Sequence, residues 1–134
     1  MCKVNSSLHI QVLSDFDGEG PTAWVPNADA YTTESGLVAK VELAGMRPES
    51  LDLIIEKRRL IIKGERTDSS RQPGIKYLVM EIRYGPFECM LDMPAGYDLS
   101  QARAVYQNGF LRVDVPLASK PVATSLVVAV SEAP

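Results

Sequence analysis

Histidine is almost missing from these 134 residues: His9 is the only one. It stands beside no cysteine, so no imidazole is placed to activate a thiol nucleophile. Cysteine is nearly as scarce. Cys2 and Cys89 lie far apart with no metal-ligand spacing, which removes both a disulfide framework and a Cys/His metal cluster and fits a reducing cytoplasm. No glycine-rich phosphate loop is present, and the carboxylates fall mainly in turns or in the exposed phases of strands. No catalytic, cofactor-binding or metal-binding residue is therefore expected, and the chain does not read as an enzyme. Apolar runs are short: none approaches the roughly 20 residues that span a bilayer. The start of the chain also lacks a basic segment followed by a continuous apolar stretch, so secretion and membrane association are not expected. An excess of basic charge is absent as well. With 14 Lys and Arg against 17 Asp and Glu, the net charge of -3 argues against a nucleic-acid partner, which needs clustered cations. Lys57-Arg58-Arg59 is the one basic cluster, and its place between two apolar runs makes it a solvated turn.

What is present is a period of two. Leu37, Ala39, Val41 and Leu43 alternate with Val38, Lys40 and Glu42, the pattern of a strand with one buried face. Leu51, Leu53 and Ile55 repeat it, and Leu60 and Ile62 follow after the Lys57-Arg58-Arg59 turn, so these two strands should form a hairpin. Further strands are expected over 76–82, 87–93, 102–107 and 110–115, separated by Pro73-Gly74, Gly85-Pro86 and Asn108-Gly109. Asn108 and Gly109 are the residues that most readily take positive φ, as a two-residue reversal requires. In the same hairpin Ala104 is small enough to admit a closely packed neighbour, and Leu111 opens the return strand. Many short strands with regular turns predict an all-β, immunoglobulin-like antiparallel β-sandwich. Only the first 20 residues offer a helical spacing, through Leu8, Val12, Leu13 and Phe16, with a flexible linker over 15–20.

Motif order adds to this. Trp24-x-Pro26, Val41 to Met46 before Pro48-Glu49-Ser50-Leu51, Leu60 to Arg66, Gly85-Pro86-Phe87 through Leu91-Asp92-Met93-Pro94, and Ala104 to Leu111 follow one another in about a hundred residues. In this order the chain resembles the α-crystallin domain of bacterial-type small heat shock proteins, the Hsp20 family of ATP-independent holdase chaperones. The resemblance implies an arm over 1–23, an α-crystallin domain over 24–117 and a C-terminal extension over 118–134. It implies a stress-response chaperone that binds unfolding clients and works as a dimer-based dynamic oligomer.

In the resembled family, a groove at the sandwich edge receives a tail motif of two aliphatic residues separated by one. Here the groove would involve Leu51, Leu53, Ile55 and Leu99. Five residues beyond Pro121 the tail carries Leu126-Val127-Val128, and Val128-Ala129-Val130 is a competing register. Two docked aliphatic side chains contribute roughly 1.5 to 3 kcal/mol each, offset in large part by ordering the tail. Valine in place of isoleucine removes a methylene worth about 0.8 kcal/mol, so the anchor should be looser than the family norm. Many such tails on one particle act together through high effective concentration.

The segment from Arg66 to Gly85 is long for a sandwich loop, and loops of that length usually have a task. It contains Tyr77, Leu78, Val79, Met80, Glu81 and Ile82, either an edge strand of its own sheet or, as the resemblance implies, a strand that crosses to pair near Ala28 to Thr33 of a second copy. Two departures from the family pattern stand out. Cys89 occupies the position of a common arginine two residues after Phe87, and reads as a small buried hydrophobe. The arm is short, with 23 residues before Trp24. Leu8, Val12, Leu13 and Phe16 are its client-binding candidates, although a disordered tail reads equally well. A p23-type adaptor sandwich that binds one folded partner is the alternative function.

Overall fold

A computed structural model of the chain describes residues 3–5, 8–12, 23–119 and 125–133, with side chains over 23–119 and 126–133. Eleven strands run in the order β1 (Lys3–Asn5), β2 (Leu8–Val12), β3 (Ala28–Thr32), β4 (Gly36–Glu42), β5 (Leu51–Glu56), β6 (Arg59–Arg66), β7 (Gly85–Asp92), β8 (Arg103–Gln107), β9 (Phe110–Pro116), β10 (Ser125–Val128) and β11 (Val130–Glu132). They form two sheets, β1-β2-β7-β6-β5-β10 and β11-β8-β9-β4-β3. Every pairing is antiparallel except β11 against β8. Two short 3-10 turns, Pro48–Ser50 and Leu99–Gln101, are the helical pieces among the described residues.

The period-two residues meet between the sheets. Leu53, Ile55, Leu60, Ile62, Cys89 and Leu91 come from one sheet and Leu37, Ala39, Val41, Leu111, Val113 and Val115 from the other, all essentially without exposure. The sandwich expected from the alternation is thus the observed architecture. Asn108 and Gly109 take φ of 53° and 82°, and two positive values in succession are what a type I′ hairpin turn needs to match strand twist. Lys57-Arg58 is the corresponding turn between β5 and β6, with Lys57 at φ 59°, and Arg59 opens β6 paired to Asp92 at 2.8 Å.

Three expectations are corrected. Val38, in the outward phase of β4, is only 3% exposed, so β4 buries more than one face. The arm is not helical where it is described. Leu8 and Val12 lie in β2, whose residues pair with β7 from His9 opposite Asp92 to Val12 opposite Cys89. The apolar spacing 8, 10, 12 suits a strand, and the edge of β7 offers backbone groups that a helix would leave unpaired. Leu13 and Phe16 lie outside the described residues. Finally, 76–82 forms no strand, because among the described residues it meets no backbone to pair with.

Candidate functional site

Three of the original sandwich edges are covered by terminal segments. β2 pairs with β7, β10 with β5 and β11 with β8. The outer edge of β3 has no strand against it among the described residues.

The C-terminal segment covers two edges at once. In β10, Leu126 lies opposite Ile55 and Val128 opposite Leu53; after Ala129 the chain crosses to the other sheet, where Val130 lies opposite Ala104 and Ser131 opposite Val105. The Ala133 amide closes the run by donating to the Tyr106 carbonyl at 3.2 Å. Alternation decides which side chains point inward. Val128 is 9% exposed and joins the core, Leu126 and Val130 are half-buried against it, and Val127 is 71% exposed. Positions 126, 128 and 130, which the two registers span between them, thus turn inward along one extended segment. Leu51, Leu53 and Ile55 line the β5 side of this groove and are buried. Leu99 is buried in the turn beside β9, whereas β11 runs beside the Pro48–Ser50 turn. On the β8 side the small residue is Ala104, directly across from Val130.

Tyr106 was not legible as part of this region. Its buried hydroxyl donates to the Leu43 carbonyl at 2.7 Å and accepts from the Met46 amide at 3.1 Å, tying the chain before Pro48 to β8. The signal was a tyrosine in an inward strand phase, since a buried phenol usually finds a polar partner.

The second feature is the excursion between β6 and β7, residues 67–84. Leu78 is 97% exposed, Val79 73%, Met80 50% and Ile82 62%, and Tyr77 and Glu81 are exposed too. One exposed leucine is ordinary, but a contiguous apolar run marks a contact surface. Both approaches to this run are tied down. Before it, the Asp68 carboxylate accepts from the Tyr77 hydroxyl at 2.6 Å, from the Ser70 hydroxyl at 2.6 Å and from the Ser70 amide at 3.0 Å, with Arg71 at 3.5 Å. These donors, Ser70 first and Tyr77 next, hold the Asp68 pKa down at about 2. After it, Arg66 donates from Nε and Nη2 to the Arg83 carbonyl at 2.9 and 2.6 Å, and from Nη1 to the Ala44 carbonyl at 3.3 Å. Its guanidinium lies 4.4 Å from the Trp24 ring centroid and 5.6 Å from that of Tyr84. Trp24 is itself fixed, donating from Nε1 to the Gly85 carbonyl at 3.1 Å and packing on Phe87 with ring centroids 5.2 Å apart.

Elsewhere the surface offers little chemistry. Among the described residues no group of three or more His, Cys, Asp or Glu is gathered to hold a metal, and no helix is long and apolar enough to cross a membrane. Cys89 is buried in β7, next to Ile62 in the register.

Comparison with known proteins places the fold. The model of the Hsp20/alpha crystallin family matches residues 29–130. Small heat shock protein C2 of Rickettsia felis is 30% identical over 92 residues, 69% of this chain; the chain spans 60% of that relative's length. Among solved structures, hspA from Xanthomonas axonopodis superposes with a TM-score of 0.67 at 28% identity, covering 76% of this chain and all (100%) of that one. A small heat-shock protein from Xylella fastidiosa, whose crystal structure is described as revealing a distinct high order structure, gives 0.66 at 27% identity over 78% of this chain and 98% of its own. With three quarters of its length inside the family model and the same sandwich in solved small heat shock proteins, the chain belongs to the Hsp20/alpha crystallin family.

Proposed function

We propose that this protein is an ATP-independent holdase that binds unfolding proteins and keeps them from aggregating, acting as a dimer exchanged through the 77–82 segment and built into a dynamic homo-oligomer. The observation that carries the reading is the apolar run Leu78-Val79-Met80, exposed and, among the described residues, unpaired, in a sandwich whose β3 edge has no described strand against it. Adding that run to β3 of a second copy gives both backbones their hydrogen bonds and removes an edge that invites aggregation. The alternative is an edge strand in its own sheet, and among the described residues 76–82 forms no strand.

The tail supplies the second contact. A segment that sits in the β5–β8 groove through three alternating aliphatic side chains is able to leave it and occupy the same groove on a neighbour. Release exposes Leu53 and Ile55 together with the tail itself, which is apolar surface suited to an unfolding client. A reducing compartment, the cytoplasm, suits a chain with one buried thiol at Cys89 and a distant Cys2.

Light scattering of a heat-aggregating model protein, with this chain added and no ATP, tests the chaperone reading. Suppression that grows with molar ratio is expected. Equal aggregation with and without the chain, repeated at elevated temperature, would instead favour an adaptor with one folded partner. Replacing 76–82 by a short Gly-Ser linker tests the exchange, and dimers that survive the replacement would remove it.

A further inference from the structure

The 67–84 excursion is held at two points that enclose its apolar run. Tyr77 is bonded to Asp68 at 2.6 Å, and Arg83 accepts both Arg66 donors at 2.9 and 2.6 Å. Between them lie Leu78 to Ile82, exposed throughout. We infer that Arg66 and the Asp68–Tyr77 knot are positioning devices, which fix both ends of 78–82 so that this segment is presented outward, already confined, to β3 of a second copy.

The reasoning is energetic. An 18-residue excursion that must be ordered only on association loses backbone and side-chain freedom at that moment, and this opposes pairing. A segment pinned before association has lost part of that freedom already. The pins suit the task because the first lies wholly within the excursion and the second ties its far end to the sandwich. Asp68 draws its donors from Ser70, Arg71 and Tyr77, all within the excursion. Its side chain is only 5% exposed, and the partners of its carboxylate are polar groups of the excursion itself. Arg66 stands at the last pair of the β6–β7 ladder, opposite Gly85, and stacks on Trp24, so it transmits the orientation of the rigid sheet to Arg83. Gly85, at φ 97°, then lets the chain turn into β7 in a conformation most residues resist. A guanidinium meets these demands where an ammonium does not: two of its donors converge on one carbonyl while a flat face lies on an indole.

The inference rests on the exchange reading, and the experiment separates the two. The full chain is diluted in steps, and the concentration at which half of it sediments as monomer is recorded for the natural sequence, for Asp68→Ala, for Arg66→Lys and for the chain with 76–82 replaced by linker. Thermal unfolding and the emission of Trp24, the sole tryptophan, report the sandwich in each. The expected result is that the linker chain is monomeric throughout and that Asp68→Ala raises the half-monomer concentration about tenfold, equivalent to about 1.4 kcal/mol, with unfolding and Trp24 emission unchanged. Arg66→Lys, which keeps the charge and loses the two-donor fork, shifts it in the same direction. A monomeric linker chain together with an unshifted Asp68→Ala chain overturns the positioning role while leaving exchange intact. Dimers in the linker chain overturn exchange and the positioning role with it.

Discussion

Val128 stands opposite Leu53 in the pairing of β10 with β5, and both side chains are nearly closed to solvent, at 9% and 0% exposure. Leu53 belongs to the middle of a core strand, so the tail completes the hydrophobic core instead of resting on its surface. Val127, between two inward residues, is 71% exposed and contributes little to the contact.

The double variant Leu126→Ser, Val128→Ser is expected to reduce particle mass. Each removed aliphatic contact is worth about 1.5 to 3 kcal/mol before the entropy of ordering the tail is set against it. Sedimentation or native mass measurement at fixed concentration reads the result. Val127→Ser, at the exposed position between them, should leave the mass as it is. A double variant that keeps the original mass would remove the tail from assembly.

Tyr106→Phe removes a hydroxyl that serves two backbone groups, the Leu43 carbonyl and the Met46 amide. Both are then left buried without that partner, at a cost of about 1 to 3 kcal/mol. The midpoint of denaturant unfolding should fall with its slope unchanged. An unfolding free energy within a few tenths of a kcal/mol of the natural chain's would mean that water replaces the phenol hydroxyl.

How far the residues announce all this depends on the scale of the interaction. The sandwich is legible because alternation is local: Leu51, Leu53 and Ile55 declare their face without reference to any other strand. The Asn108-Gly109 turn is legible for the same reason, whereas the tail's register stays open between 126/128 and 128/130, because both pairs share one phase. Failures come where a partner decides the outcome. Leu8 to Val12 suits more than one conformation until the edge of β7 is known to lie beside it. Tyr77 to Ile82 has strand composition but no strand geometry, since backbone partners define a strand and this segment finds none among the described residues. Arg66 and Asp68 gave no signal, because their roles come from groups brought together by the loop's path.

Gly64→Ala should destabilise the sandwich. A Cβ there would stand 2.5 Å from the Ser50 carbonyl oxygen and 2.9 Å from Cζ of Phe87, and Phe87 is fully packed at 2% exposure. Backbone on one side and a core ring on the other leave little room to yield, so a loss of about 1 to 3 kcal/mol is expected. Gly45→Ala meets nothing within 4 Å, but its φ of 78° resists a side chain and should cost about 1 to 2 kcal/mol. Thermal unfolding of the two variants, with the lower midpoint for Gly64→Ala, checks the order. The reverse order would show that Ser50 and Phe87 move aside.

The Asp68 knot should respond to acid later than an ordinary carboxylate. Its pKa is lowered to about 2, chiefly by the Ser70 hydrogen bond and then by Tyr77, from an unfolded value of about 3.9. Because the folded value is the lower one, the knot's contribution is complete above about pH 4 and is lost as the pH falls towards 2. The Ser70 amide, which donates to Asp68 Oδ1 at 3.0 Å, is a local reporter of this change. Its proton chemical shift should titrate with a midpoint near 2, and the Tyr77 ring resonances should move over the same range. In Asp68→Asn neither resonance should titrate there. A midpoint near 3.9 in the natural chain would mean that solvent, and not Ser70 and Tyr77, surrounds the carboxylate, and the excursion would then enter any dimer without a fixed start.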